Sequence, residues 1–124
     1  MLRRQAVISV SSENQKTIDN DLIHTDHTPG FGSAARYVAS TVREITIDAN
    51  VYEKKSVTII EIMGRHAGWL TAASALARKY IGDNPLLIYL PETAFDQEEF
   101  LKAVENSFEK TAMSLSVYQK EFMM

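Results

Sequence analysis

Hydrophobic positions recur along part of this chain with the spacing of a helix. The dipeptide Thr28-Pro29 comes just before them and is a helix-start signal, because a hydroxyl can cap a helix and proline fits its first position. The apolar stripe consists of Phe31, Ala34, Ala35, Val38, Val42, Ile45 and Ala49. This spacing predicts one helix that buries the stripe and ends near Ala49.

Short apolar runs elsewhere predict strands. Residues 56–63 read SVTIIEIM, which is β-branched and apolar on both faces. Residues 86–90 form a shorter run that Pro91 ends, and residues 6–10 are a third candidate. Runs without polar alternation are typical of parallel sheets that are covered on both faces. We therefore expect a parallel sheet with helices on each side.

Two further helices are predicted. Residues 66–80 are alanine-rich and are followed by Gly82, a common residue just past a helix. The inner face of this helix is predicted to consist of Leu70, Ala73, Leu76 and Ala77. Asp96 and Glu99 have the spacing of a capping box, which begins a last helix that extends toward Phe122. Its apolar residues are Phe100, Leu101, Val104, Phe108 and Leu115.

The alternation of strands and helices predicts an α/β fold with crossover helices. Such sheets bind ligands at the carboxyl ends of their strands. Two polar blocks follow predicted strands, KTIDND at residues 16–21 and MGRHAG at residues 63–68. We therefore expect both blocks to lie at one edge of the sheet.

Composition narrows the classes of function. The 124 residues suffice for one ordinary domain, and a hydrophobic content of 45% lets a core form. A formal charge of −3 argues against a nucleic-acid partner. Without cysteine there are neither disulfides nor thiolate metal sites, and no apolar run reaches the roughly 20 residues of a membrane span. These features fit a cytoplasmic protein.

The two polar blocks contain the groups that phosphoryl transfer requires. Asp19 or Asp21 can accept a proton from a sugar hydroxyl. Lys16 and Arg65 can neutralise charge on a transferred phosphoryl group. Gly64 lets the backbone come close to a ligand.

Ordinary structural explanations of these residues stay open. From the D-N-D sequence alone a turn is favoured, because Asx side chains bond to their own backbone. A lone arginine such as Arg65 is more often part of a salt bridge at a helix start. His24, Asp26 and His27 are loosely spaced and stand apart from any other histidine or cysteine cluster, so a polar loop is favoured over a metal site.

Three blocks of the chain closely resemble the 6-phosphofructokinase family. They are KTIDNDL–TDHTPGFGSAARYVA, SVTIIEIMGRHAGWLTAASALAR and LIYLPE, and they cover residues 16 to about 104. The resemblance implies a three-layer α/β sandwich with a mostly parallel sheet, in a cytoplasmic glycolytic enzyme that is a homo-oligomer. It also implies phosphoryl transfer to the 1-hydroxyl of fructose 6-phosphate, giving fructose 1,6-bisphosphate, with Mg²⁺ and with pyrophosphate or ATP as the donor.

The resemblance implies roles for individual residues. Asp19 resembles the proton acceptor that activates the 1-hydroxyl, with Asp21 in a supporting role. Arg65 resembles the residue that stabilises the transferring phosphoryl group. Lys16 stands where pyrophosphate-using members carry lysine and ATP-using members usually carry glycine, so the pyrophosphate-dependent subtype is expected. The implied sugar-binding residues are Thr17, Ile18, Asp19, Met63, Gly64 and Arg65.

The chain also departs from the family pattern. Residues 11–15 are polar where the family has an apolar strand and a proline. We therefore expect residues 1–15 to be a divergent segment and residues 16–124 to be a partial phosphofructokinase domain. The Gly-rich donor loop with its magnesium aspartate and the downstream glutamate-bearing sugar segment are not found. The expected fold is thus incomplete, and the chain has no metal ligands of its own.

Two other functions stay open at this point. One is a non-catalytic phosphofructokinase remnant that binds sugar phosphate weakly or pairs with a full-length subunit. The other is an α/β interaction domain without a ligand. The flanking coding sequence discriminates between them and the enzyme, because an upstream Gly-Gly-Asp donor loop in the same reading frame would decide for the enzyme.

Overall fold

The computed structural model describes residues 17–80, 83, 86–111 and 113–119. Its helices and strands, in chain order, are α1 (Phe31–Ala49), β1 (Ser56–Ile62), α2 (Trp69–Ala73), β2 (Leu86–Tyr89), α3 (Gln97–Lys110) and β3 (Met113–Gln119). The predicted strand at residues 6–10, Lys16, Gly82 and Phe122 lie outside the described residues. Within the described ranges, none of the helices combines the length and apolarity needed to cross a membrane.

The strands form one parallel sheet in the order β1-β3-β2. Ser56 lies opposite Met113 and Ile62 lies opposite Gln119, so β1 and β3 run in register along their whole length. Their carboxyl ends therefore lie at the same edge of the sheet. The predicted α/β class with a parallel sheet is confirmed.

The stripe of α1 packs on one face of this sheet, as predicted. Val42 is buried in a cluster with Ile62, Leu70, Leu115 and Val117. The remaining apolar residues of the stripe are partly buried against this cluster. The helix ends at Ala49, where the sequence predicted its end.

The chain after α3 is a strand, which corrects the predicted last helix. Asp96 accepts a hydrogen bond from the Glu99 N–H at 2.9 Å, so α3 begins as predicted. The helix ends at Lys110, because Thr111 is already extended. Leu115, which the prediction placed on the helix, lies in the central strand and is 1% exposed. The apolar side of β3 follows the period of a strand, at Met113, Leu115 and Val117.

Strand β1 is covered on one face, whereas the sequence predicted cover on both. Ile60 and Ile62 belong to the core or pack against it. Val57 and Ile59, which point the other way, are 45% and 53% exposed. Since β1 is an edge strand and α3 contacts the central strand β3, this face of β1 stays open in the described part of the chain.

The helix predicted over residues 66–80 is shorter than expected. It begins only at Trp69, and the 3₁₀ turn that continues it ends at Ala77. Asp83 accepts hydrogen bonds from the N–H groups of Lys79 and Tyr80, at 2.7 and 3.1 Å, which draw these residues into a turn. The same two bonds lower the pKa of Asp83. The predicted inner face is buried at Leu70, Ala73 and Ala77 and exposed at Leu76.

Candidate functional site

Residues 17–30 form a loop that hydrogen bonds fold back on itself. Thr28 is fully buried, and its hydroxyl donates to the carbonyl oxygen of Thr17 at 2.8 Å. The Thr28 N–H donates to Oδ1 of Asn20, also at 2.8 Å. Thr28 therefore closes the loop and does not cap α1 as predicted, since Gly30 is the N-cap and lies in the left-handed region with φ 99°.

Asn20 is the buried centre of this loop. It is 7% exposed and has φ 57°, a conformation that asparagine adopts more readily than most residues. Its Nδ2 donates to the carbonyl oxygen of Asp26 at 3.3 Å, while its Oδ1 accepts from Thr28. Within D-N-D, the asparagine thus holds the loop together through bonds to residues 26 and 28.

We expect Asn20→Ala to destabilise the fold. It removes both side-chain bonds and leaves the buried Thr28 N–H without its acceptor, which should cost about 1–3 kcal/mol. Equilibrium urea unfolding measures the loss. Thr25→Ala, at an exposed position of the same loop, is the matched control. Equal stability of the two variants would contradict the structural role of Asn20.

The two aspartates that flank Asn20 have different partners. The Asp21 Oδ1 accepts a hydrogen bond from the Thr17 hydroxyl at 3.2 Å. The same hydroxyl accepts one from the Asp19 N–H at 3.1 Å. The Asp19 Oδ1 is buried and has no hydrogen-bond partner among the described residues. The Thr17 hydroxyl therefore donates to the Asp21 carboxylate, while Oδ1 of Asp19 stays without a partner in the described part of the chain.

An open cavity of about 540 Å³ lies beside Asp19. Its lining residues are Thr17, Ile18, Asp19, Pro29, Gly30 and Met63. The cavity brings the first polar block together with Met63, the residue that follows β1 at the carboxyl edge of the sheet. Its size is that of ordinary small-molecule sites. Four of the six sugar-binding residues that the resemblance implied thus meet at one place.

The other two, Gly64 and Arg65, lie in the loop between β1 and α2. Gly64 is buried against the side-chain amide of Gln119, which would have to shift to admit a Cβ. Arg65 is exposed and does not line the cavity. The one ion pair found within the described ranges joins Arg43 to Asp83 at 3.9 Å, so Arg65 has no salt bridge to any described carboxylate.

A second cavity, of about 400 Å³, contains Asp21. Its lining residues are Asn20, Asp21, Leu22, Ile23, Thr25, Asp26, Ala67 and Trp69. Trp69 is 55% exposed here. The two aspartates of D-N-D therefore face different cavities.

The described residues do not assemble a metal site. His27 packs its ring edge-on against Phe31, with centroids 5.6 Å apart. Across residues 17–80, 83, 86–111 and 113–119, no three histidine, cysteine, aspartate or glutamate side chains are grouped so that they could hold a metal ion. The described residues therefore do not form a Mg²⁺ site by themselves.

Sequence reasoning missed two residues at this edge of the sheet. Gln119 ends β3 and is 1% exposed, and its Nε2 has no partner among the described residues. The strand-like alternation of residues 113–119 could have placed Gln119 at the end of a strand, but a helix was predicted there instead. Glu92 follows β2 and accepts a hydrogen bond from the Gly68 N–H at 2.7 Å. Nothing in the sequence beyond its place after Pro91 points to that contact.

The parallel sheet and the carboxylate-bearing cavity at its carboxyl edge define an α/β protein of the class that binds ligands at that edge. The profile of the phosphofructokinase family matches residues 13–123. The chain belongs to this family.

Relatives of known activity cover most of this chain. The pyrophosphate–fructose 6-phosphate 1-phosphotransferase of Rhodospirillum rubrum is 51% identical over 96 residues, which are 77% of this chain and 23% of that protein. The enzyme of the same name from Xanthomonas campestris is 51% identical over 104 residues, which are 82% and 25%. The crystal structure of the pyrophosphate-dependent phosphofructokinase from Nitrosospira multiformis matches 86% of this chain and 27% of its own, with a TM-score of 0.79 and 39% identity. The chain thus spans about a quarter of the length of these relatives.

Proposed function

We propose that this chain forms the sugar-phosphate and proton-accepting part of a pyrophosphate-dependent 6-phosphofructokinase. The observation that supports this most directly is the unpaired carboxylate oxygen of Asp19 beside a cavity of suitable size. The proposed reaction transfers a phosphoryl group to the 1-hydroxyl of fructose 6-phosphate and gives fructose 1,6-bisphosphate. Membership of the family supports the reaction class.

In the proposed mechanism, fructose 6-phosphate lies in the cavity with its 1-hydroxyl near Asp19. The hydroxyl oxygen attacks the terminal phosphorus of the donor while the Asp19 carboxylate accepts its proton. The bond between that phosphorus and the bridging oxygen breaks, and inorganic phosphate leaves when pyrophosphate is the donor. Arg65 and Lys16 neutralise the charge that builds up on the phosphoryl oxygens. Asp21 supports the loop through Thr17.

The proposal also includes the phosphoryl donor, the metal ion and the place of the enzyme in the cell. Lys16 and the names of the relatives that are 51% identical favour pyrophosphate, with ATP as the alternative donor. The family resemblance implies Mg²⁺, a glycolytic role in the cytoplasm and a homo-oligomer. The described residues hold no ligand set for Mg²⁺, so its ligands would come from the donor or from protein groups outside them.

Binding of sugar phosphate to this chain tests the proposal. Titration with fructose 6-phosphate should shift the NMR amide signals of residues 17–19 and 63–65, and fructose should not. Met63→Asp adds a negative charge to the cavity lining and should weaken binding of the anionic sugar. Leu101→Asp, at a position that is 52% exposed on α3, is the matched control. Equal binding by both variants would contradict this location of the site.

We expect no appreciable phosphofructokinase activity from the 124-residue chain with either donor. Binding and orientation of the donor supply much of the catalysis in phosphoryl transfer, and the family's donor loop is not found in this sequence. An assay coupled to aldolase measures the product. Robust turnover in that assay would refute the assignment of only part of the site to this chain.

A further inference from the structure

The loop that carries Arg65 is contacted at each end by a residue that ends or follows another strand of the sheet. At its start, Gly64 lies against the Gln119 side chain at the end of β3. At its end, the Gly68 N–H donates to Oε1 of Glu92, which follows β2. The exposed Arg65 side chain thus belongs to a short segment with a packing contact at Gly64 and a hydrogen bond at Gly68.

Residues 91 and 92 pack tightly against Gly68. A Cβ at this position would lie 2.7 Å from Oε2 of Glu92 and 2.9 Å from Cδ of Pro91. Gly68 is buried and Glu92 is exposed, so the N–H group is shielded from solvent while the carboxylate stays partly accessible. A hydrogen bond from an N–H group to a carboxylate is shorter and stronger than one between neutral groups, and its length here is 2.7 Å.

We propose that Glu92 is a positioning residue for the phosphoryl-transfer site. It fixes the loop of residues 63–68 through Gly68 and thereby sets the place of Arg65 relative to Asp19. The effect on catalysis rests on the proposed function, whereas the effect on the loop does not. Small displacements of a positioned group lower the rate steeply, so a residue outside the cavity lining can matter for the reaction.

Amide hydrogen exchange of this chain tests the effect on the loop. In the wild-type chain the Gly68 amide should exchange most slowly of residues 64–68. Glu92→Ala should speed its exchange by about tenfold or more, because the acceptor is lost. Glu92→Gln should keep most of the protection, since the side-chain oxygen still accepts. Glu98→Ala, which removes an exposed carboxylate from the first turn of α3, is the control and should change nothing.

Titration with fructose 6-phosphate tests the effect on the site. We expect Glu92→Ala to weaken fructose 6-phosphate binding several-fold, whereas Glu92→Gln should bind nearly as well as the wild-type chain. The shifts of the amide signals of residues 63–65 measure the affinity of each variant. Unprotected Gly68 in the wild-type chain, or unchanged exchange in Glu92→Ala, would overturn the inference. So would wild-type affinity in a folded Glu92→Ala chain. If even the wild-type chain fails to bind the sugar, the proposed function is wrong, and exchange at Gly68 alone decides whether Glu92 positions the loop.

Discussion

Replacing Asp19 with alanine in a full-length enzyme that carries this segment should lower turnover by roughly 10²–10⁴ and leave fructose 6-phosphate binding largely intact. General-base assistance exists only in the transition state, so its loss changes turnover and not affinity. The unpaired Oδ1 of Asp19 at the cavity supports this role. Steady-state kinetics with fructose 6-phosphate varied at saturating donor separate the two parameters.

Asp21→Ala is the matched comparison for Asp19→Ala. The Asp21 carboxylate accepts from the Thr17 hydroxyl, which also holds the Asp19 N–H, so its loss should disturb the loop and change turnover and affinity together. Thr17→Val removes the same hydroxyl and should resemble Asp21→Ala. Circular dichroism confirms that each variant is folded. A severe defect in Asp21→Ala beside a nearly normal Asp19→Ala would overturn the assignment.

Elements with one strong period could be predicted from the sequence. Helix α1 was predicted with its buried face and its end at Ala49, because its apolar residues recur at the spacing of a single helical face. Strand β1 was predicted because five of the seven residues 56–62 are β-branched. Its open outer face was not, because cover depends on where α3 lies, and that is a tertiary property.

Strand β3 shows where periodicity was not decisive. Phe100, Val104 and Phe108 continue to Leu115 at spacings close to a helical period, so the helix pattern carries on past the true end of α3. The strand pattern begins only at Met113. Its serines at 114 and 116 suggest a half-polar strand, although both are 1% exposed. Pairing with two neighbouring strands decided the conformation, and a single sequence does not display that pairing.

The candidate site, too, could be predicted from the sequence only in part. The residues that the family resemblance implied lie in two blocks of the sequence, and four of them line one cavity. Four supporting residues were missed, because their contacts join residues between 6 and 55 positions apart. They are Asn20, Thr28, Gln119 and Glu92. Asn20 has a structural role, because its side chain bonds to residues 26 and 28, while the aspartates beside it line different cavities. The structural and the catalytic interpretations of that motif are therefore compatible.

The proposed choice of phosphoryl donor depends on Lys16, which lies outside the described residues. In the sequence it directly precedes Thr17, which lines the cavity. Under the proposed function, the charge of its ammonium group favours a small inorganic donor over a nucleotide. In a full-length enzyme, Lys16→Gly should remove one charge-assisted phosphate contact, at a cost of about 2–4 kcal/mol in the transition state. That cost corresponds to a loss of about 30- to 900-fold in kcat/KM for pyrophosphate.

The fructose 6-phosphate affinity of Lys16→Gly should change far less, because the lost contact is to the donor. Lys16→Arg keeps the charge and should lose less activity with pyrophosphate than the glycine variant does, which separates charge from the space that the side chain fills. Assays coupled to aldolase with pyrophosphate and with ATP measure both donors in each variant. Full activity of Lys16→Gly with pyrophosphate would show that the lysine does not act on the donor. The expected pyrophosphate-dependent subtype would then be wrong, while the role of Asp19 as proton acceptor would be unaffected, because that step is common to both donors.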